Sequence, residues 1–160
     1  MYIDFKELPE DARVWIYQSN RSFTPEEQVQ LTTQLKAYLE EWTAHGSELW
    51  ASFEIRYNRF IVIGANQNVH AVSGCSLDAL VRFIQQLEQA YNVTLLDRMN
   101  VSYRQGEYIA YKPLIEFKKM VKDKAVSAQT IVFNNLVNTK WEYEEHWEVP
   151  LQESWHNRFL

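Results

Sequence analysis

Two side chains with nucleophilic or basic chemistry lie close together in a loop that precedes a helical pattern. Cys75, the only cysteine, stands in VSGCSLDALVRF at 72–83, and His70 lies five residues before it. A histidine within hydrogen-bonding reach can activate a thiol as its general base, and a helix N-terminus favours the thiolate. Cys75 and His70 are therefore the candidate catalytic pair.

The neighbours of Cys75 favour a less reactive role. We predict that Ser76 caps the helix, and Asp78 then places a carboxylate in the first turn, which opposes the effect of the helix dipole. Arg82 stands one position too far along the chain for a phosphatase-type loop. Because free cysteines are usually buried, the favoured interpretation of Cys75 is a small buried residue at a strand-to-helix corner.

The same loop could instead bind an anion or a small molecule at the start of the helix. The residues that we expect to contact such a ligand are Ser73, Gly74 and Ser76. The glycines, at positions 46, 64, 74 and 106, are isolated, so the chain has neither a P-loop nor a dinucleotide-binding fingerprint. We predict no cofactor.

Two charged segments complete the candidates for chemistry. Glu142 and His146 have the i, i+4 spacing of a metal-chelating pair, but no second pair accompanies them, so we predict no metal site. The basic cluster KKMVKDK at 118–124, with Lys112, could meet a phosphate backbone or an acidic partner. We interpret it as a solvated helix face on an acidic protein.

Composition excludes several classes of function. The 160-residue chain is 46% hydrophobic, carries a formal charge of −5 and has a pI near 5.4, which disfavours binding to nucleic acid. The longest apolar run, FIVIGA at 60–65, is too short to insert into a membrane. A single cysteine fits a reducing compartment, so we expect a cytoplasmic protein.

Hydrophobic periodicity predicts an α+β fold. A short strand at 13–18 precedes a helix opened by Thr24, Pro25 and Glu27, which form a capping box with proline in the first turn. Two strands follow around a turn at Asn58–Arg59, and then come the second helix and a strand at 93–96 or 101–104. This is the split βαβ, or ferredoxin-like, order: an antiparallel sheet of four to five strands with helices on one face.

The last third is predicted to be mainly helical. Pro113 opens one helix, and Thr139 with Glu142 forms a second capping box. Residues 127–138 fit either a strand or a helix. We predict one domain over 1–160, with a core at about 12–112 and a C-terminal helical extension at about 113–160, whose Trp155, Phe159 and Leu160 dock on the body.

The C-terminal region is rich in aromatic side chains. Trp141 cannot share one helix face with both Tyr143 and Trp147. Large aromatic residues are enriched at protein interfaces, so a homodimer or another protein partner is one account, and core packing is the other. The candidate interface residues are Trp141, Tyr143, Trp147 and Trp155.

The stretches SGCSLDALVRFIQQLEQAYNV and TIVFNNLVNTKWEYEEHWEVPLQESWHNRF resemble a family of small bacterial proteins of uncharacterised function. The resemblance runs nearly from end to end. Members often carry the label "ABC transporter ATPase", which implies a Walker A lysine and a signature motif, and neither stands in this sequence. We therefore expect a non-enzymatic module that binds a protein or a small ligand, with a thiol-dependent enzyme that uses Cys75 and His70 as the alternative.

Overall fold

The computed structural model describes residues 1–160, which divide into two compact units. Unit 1 comprises Met1–Leu96 and Asn138–Trp141, and unit 2 comprises Asp97–Val137 and Glu142–Leu160. No helix is long and apolar enough to cross a membrane.

The chain contains four α-helices, nine strands and three short 3₁₀ helices. The α-helices are α1 (Pro25–Glu41), α2 (Gly74–Tyr91), α3 (Leu114–Lys122) and α4 (Lys140–His146). The strands are β1 (Arg13–Gln18), β2 (Thr43–Ala44), β3 (Ser47–Glu48), β4 (Ala51–Arg56), β5 (Phe60–Ala65), β6 (Asn100–Gln105), β7 (Tyr108–Pro113), β8 (Ile131–Phe133) and β9 (Glu148–Pro150). The 3₁₀ helices span Phe5–Glu7, Leu151–Glu153 and Trp155–Phe159.

Helix α1 begins at the predicted capping box. The Thr24 hydroxyl accepts a hydrogen bond from the Glu27 backbone amide, and the Glu27 carboxylate accepts one from the Thr24 backbone amide. Arg21 donates to the same carboxylate at 2.8 Å. The hydrogen bond from Arg21, followed by that from the Thr24 backbone, lowers the pKa of Glu27 to about 2.

The main sheet of unit 1 has the antiparallel order β1-β5-β4, and every residue of the central strand β5 is buried. Helices α1 and α2 pack antiparallel over one face of this sheet. Tyr38 stacks on Phe83 at 4.2 Å between ring centroids, and the Trp42 indole N–H donates to the Ser76 carbonyl at 2.9 Å. The residues of both helices that face the sheet form one hydrophobic core with it: Leu31, Leu35, Leu39, Leu80, Ile84 and Leu87.

The N-terminal segment packs close to the central strand. A Cβ added to Gly64 of β5 would lie 2.6 Å from Leu8 Cδ1, so glycine leaves the room that Leu8 occupies. Lys140 is only 7% exposed and holds this segment in place. Its ammonium donates to the carbonyls of Leu8 at 2.8 Å and Phe5 at 3.1 Å, and it lies over the Phe5 ring.

Both edges of the main sheet receive additional backbone hydrogen bonds. Val14 of β1 donates to Asn138, and Lys140 donates to Ala12. Ala51 of β4 donates to Met1 and accepts from Ile3. Pairing of this kind leaves less of each edge open to other chains.

Unit 2 is built on a second antiparallel sheet of order β7-β6-β8-β9. Helix α3 covers it with Phe117 and Val121, which join Val101, Tyr103 and Val132 in a separate core. Two-residue turn 106–107 joins β6 to β7, and Gly106 supplies the positive φ of 64°.

The predicted α+β class is confirmed, whereas the ferredoxin-like order is not. Strands β1 and β4 flank β5, whereas Asn100–Gln105, which includes the predicted fourth strand at 101–104, pairs within the sheet of unit 2. The predicted C-terminal extension contributes β8 and β9 as well as helices, and within the undecided stretch 127–138 residues Ile131–Phe133 form a strand.

Two local predictions were wrong in detail. The hairpin turn between β4 and β5 is centred on Tyr57 and Asn58, both at positive φ, and not on Asn58 and Arg59. Leu160 is 61% exposed and does not dock, while Trp155 and Phe159 are half-buried.

Replacing Lys140 with methionine tests the anchor of the N-terminal segment. We expect K140M to lower the free energy of unfolding by about 2–3 kcal/mol, because two main-chain carbonyls lose a charged donor. Urea denaturation measures the change, with K122M on the exposed face of α3 as the matched control, which we expect to change stability by less than about 0.5 kcal/mol. Equal stability of K140M and K122M would contradict the assignment.

Candidate functional site

The N-cap of α2 lies three residues earlier than predicted, and it forms a capping box. Ser73 is the N-cap, and its hydroxyl accepts the Ser76 amide at 3.1 Å. The Ser76 hydroxyl accepts the Ser73 amide at 2.8 Å. Helix α2 therefore begins at Gly74, and Ser76 is the third helical residue and not the cap.

Cys75 is exposed, so the favoured interpretation of a buried corner residue was wrong. It lies in the first turn of α2, where its side chain points away from the core because Ser76 and Leu80 occupy the buried face. The thiol takes part in no hydrogen bond within the chain. Cys75 is thus open to reagents from solvent.

His70 is not bonded to Cys75. Its Nδ1 lies 2.9 Å from the carbonyl of Ala71, which a protonated Nδ1 satisfies as donor. No hydrogen bond joins the imidazole to the thiol, which is the contact that a thiol–base pair requires. Pairing of Cys75 with His70 remains a prediction that this geometry does not support.

The predicted ligand-binding hydroxyls are occupied by each other. Ser73 Oγ and Ser76 Oγ lie 3.0 Å apart, and Ser76 also donates to the Ser73 carbonyl at 2.8 Å. Ser76 is buried while Gly74 is exposed. This reciprocal bonding stabilises the start of α2 and leaves the two serines with little capacity for a ligand.

The four candidate interface aromatics separate into buried and accessible residues. Tyr143 and Trp147 pack against each other at 5.1 Å and are buried, and the Trp147 indole donates to Asn135 at 2.9 Å. Core packing, the competing account, describes these two. Trp155 is half-buried against His156, and Trp141 is 46% exposed.

The basic cluster lies on the outward face of α3. Phe117 and Val121 point into the core, so Lys118, Lys119 and Lys122 are exposed. None of these lysines forms an ion pair. Ile115 lies on the same face and is 78% exposed, which is unusual for an isoleucine.

The sequence contained a signal for this face that pattern reading missed. Leu114, Phe117 and Val121 complete the apolar stripe of α3, and Ile115 lies outside it. Ile115 stands among lysines and outside the buried apolar stripe, so the sequence pattern indicates an apolar side chain at the surface.

A buried histidine in unit 2 was also missed. His156 is 2% exposed, accepts or donates a hydrogen bond of 2.6 Å with Ser154 through Nδ1, and stacks on Trp155 at 4.1 Å. The Phe117 ring lies edge-on at 6.0 Å. Desolvation in this aromatic pocket lowers the pKa of His156 to about 4.

Two buried hydroxyls have no hydrogen-bond partner, but they do not form a site. Tyr38 Oη lies on α1, which packs on the helix-covered face of the sheet. Ser52 alternates with Ala51 and Phe53 along β4 and points to the opposite face. No group of three or more His, Cys, Asp or Glu side chains is arranged to hold a metal ion, Glu142 and His146 included.

No protein-family model, curated protein or solved structure matches this chain.

The alkylation rate of Cys75 tests whether the thiol is only exposed or is also activated by His70. Because the thiol is exposed and not bonded to His70, we expect iodoacetamide to modify the native protein at the same rate in wild type and H70Q. Mass spectrometry of quenched time points measures the rate. An alkylation rate that is about tenfold or more lower in H70Q would show that His70 acts as a general base for Cys75.

Burial of His156 makes the free energy of unfolding depend on pH. The unfolded chain binds the proton first, since the pKa rises from about 4 in the folded state to 6.5 on unfolding. The contribution of neutral His156 to the free energy of unfolding is therefore fully present above pH 6.5 and is lost as the pH falls toward 4. The free energy of unfolding falls by about 2–3 kcal/mol between pH 7 and about 4.5.

The comparison with H156Q isolates this contribution. The glutamine amide keeps a partner for Ser154 but does not titrate, so we expect the variant to lose about 2–3 kcal/mol less than wild type over the same interval. Stopping near pH 4.5 excludes most of the loss from Glu27, which occurs as the pH falls from 4.5 to about 2. Equal losses in urea titrations of the two proteins would rule out His156 as the source.

Proposed function

We propose that the protein is a non-enzymatic module that binds an acidic protein segment through the outward face of α3, defined here as Ile115, Lys118, Lys119 and Lys122. The observation that carries the proposal is an exposed isoleucine surrounded by lysines that form no ion pair. Protein interfaces commonly have an apolar centre and a polar rim.

The charge around this face is locally positive on an acidic protein. Residues 112–124 contain five lysines against Glu116 and Asp123, whereas the whole chain carries −5. A positive patch of this kind attracts an acidic segment and discriminates against basic ones.

A protein segment fits this face better than nucleic acid does. A phosphate backbone is bound by positive charge and hydrogen-bond donors, so it would gain little from Ile115, and the acidic remainder of the chain repels it. An acidic helix with one apolar residue can meet both the lysines and the isoleucine.

A thiol-dependent enzyme is the second candidate, supported by the exposure of Cys75 in the first turn of α2. It lacks a hydrogen-bonded base, which places it behind the binding module. The exposed free thiol also supports our inference of a reducing, cytoplasmic compartment, and the β1-β5-β4 order supports a split βαβ arrangement for the first part of unit 1.

A synthetic acidic peptide tests the binding function. The probe is a helical peptide rich in glutamate with one tryptophan, and the control peptide carries lysine in place of every glutamate. We expect the acidic peptide to shift the backbone amide resonances of α3 in NMR titrations, and the basic peptide to have no such effect. We expect K118E/K119E to weaken binding by about tenfold or more.

The matched control is K6E/R98E, which changes the net charge equally at exposed positions outside α3. Binding that falls equally in both variants would reflect net charge alone and overturn the proposal. Amide shifts confined to other elements, or tighter binding of a DNA duplex than of the acidic peptide, would overturn it as well.

A further inference from the structure

We infer that the acidic segment bound by the outward face of α3 is the outward face of α4 in a second copy of this chain, which gives head-to-tail self-association. This inference rests on the proposed function of α3. The outward face of α4 is defined here as Trp141, Glu144 and Glu145.

Burial fixes which side chains α4 presents. Lys140 and Tyr143 of α4, and Trp147 directly after it, are buried at 7%, 4% and 3% exposure, so one side of the helix is occupied. Trp141 and Glu145 lie on the opposite side of the helix, Glu144 lies between Lys140 and Trp141 around the helix, and all three are exposed. Neither glutamate forms an ion pair within the chain.

The two faces carry the same pattern with opposite charge. On α3, exposed Ile115 is followed at i+3 and i+4 by Lys118 and Lys119. On α4, exposed Trp141 is followed at the same spacing by Glu144 and Glu145. Positions i, i+3 and i+4 lie together on a helix surface, so each face presents one large apolar side chain beside two like charges.

Contact between the two faces would pair the apolar side chains with each other and the lysines with the glutamates. With the helices side by side in the same direction, Ile115 meets Trp141 and the two lysines meet the two glutamates. The apolar contact removes an isoleucine and a tryptophan from water, and the charges set the orientation and exclude contact between two copies of the same face.

The geometry determines the kind of assembly. One copy uses α3 and the next uses α4, so the interface is heterologous, and each added copy still offers a vacant face at either end. Two short helix faces form a small interface, and exposed charge pairs contribute little each. Association is therefore weak, increases with protein concentration without stopping at a dimer, and weakens with added salt.

Charge reversal on each face tests the inference. Sedimentation equilibrium of the wild type at low salt is expected to give an average mass that rises steadily above that of the monomer with concentration. The variants K118E/K119E and E144K/E145K each place like charges on both faces, and each is expected to remain monomeric. Combining the four substitutions in one chain exchanges the charges and is expected to restore association to the wild-type level.

Two control variants distinguish the effect of charges on these faces from the effect of net charge. K6E/R98E and E26K/E41K repeat the two changes in net charge at exposed positions elsewhere, and both are expected to associate as the wild type does. A wild type that stays monomeric at millimolar concentration, a mass that levels off at a dimer, or a four-substitution chain that remains monomeric would overturn the inference.

Binding of the acidic peptide distinguishes failure of the self-association inference from failure of the proposed function. If the peptide binds α3 while the chain does not self-associate, the binding function stands and only the identity of the partner is wrong. If the peptide does not bind α3 either, both proposals fall together.

Discussion

The central strand β5 is the constraint on which unit 1 depends. All six of its residues are buried, and it forms hydrogen bonds with a strand on each side, β1 and β4. Burial of side chains on both faces contributes about 1.5–3 kcal/mol for each large apolar residue, but it requires that both faces be covered. Helices α1 and α2 cover one face, and the approach of Leu8 to Gly64 shows how closely the N-terminal segment packs against this strand.

The buried ammonium of Lys140 shows how distant parts of the chain serve that requirement. Its donors satisfy carbonyls at Phe5 and Leu8, more than 130 residues away in sequence. A buried lysine is costly unless its charge is bonded, so the contact fixes both the N-terminal segment and the first residue of α4. The same placement leaves Trp141, the next residue along the helix, exposed. Part of the surface that we propose for self-association is thus a consequence of how the core is closed.

Short-range chemistry made several elements predictable. The capping box of Thr24 and Glu27 sets the start of α1 within four residues, and Asn58 marks the turn between β4 and β5. The fate of residues 100–105 was not predictable in this way, because a strand pattern specifies neither its partner strand nor its sheet. Cys75 shows the same limit: its residue type suggested burial, while its place one position before buried Ser76 on the helix exposes it.

The sequence by itself determined the α+β class, the position of α1, the position of the β4–β5 hairpin to within one residue, and the absence of a P-loop, since all of these depend on neighbours within a few residues. Tertiary structure alone decided which aromatic and charged side chains are accessible. Tyr143 and Trp147 are buried and Trp141 is not, although all three stand within seven residues. Lys140 and His156 each have a partner far along the chain, the Leu8 carbonyl for Lys140 and the Phe117 ring for His156. Burial is a property of long-range packing, so the candidate surfaces on α3 and α4 emerged only when the cores beneath them were known.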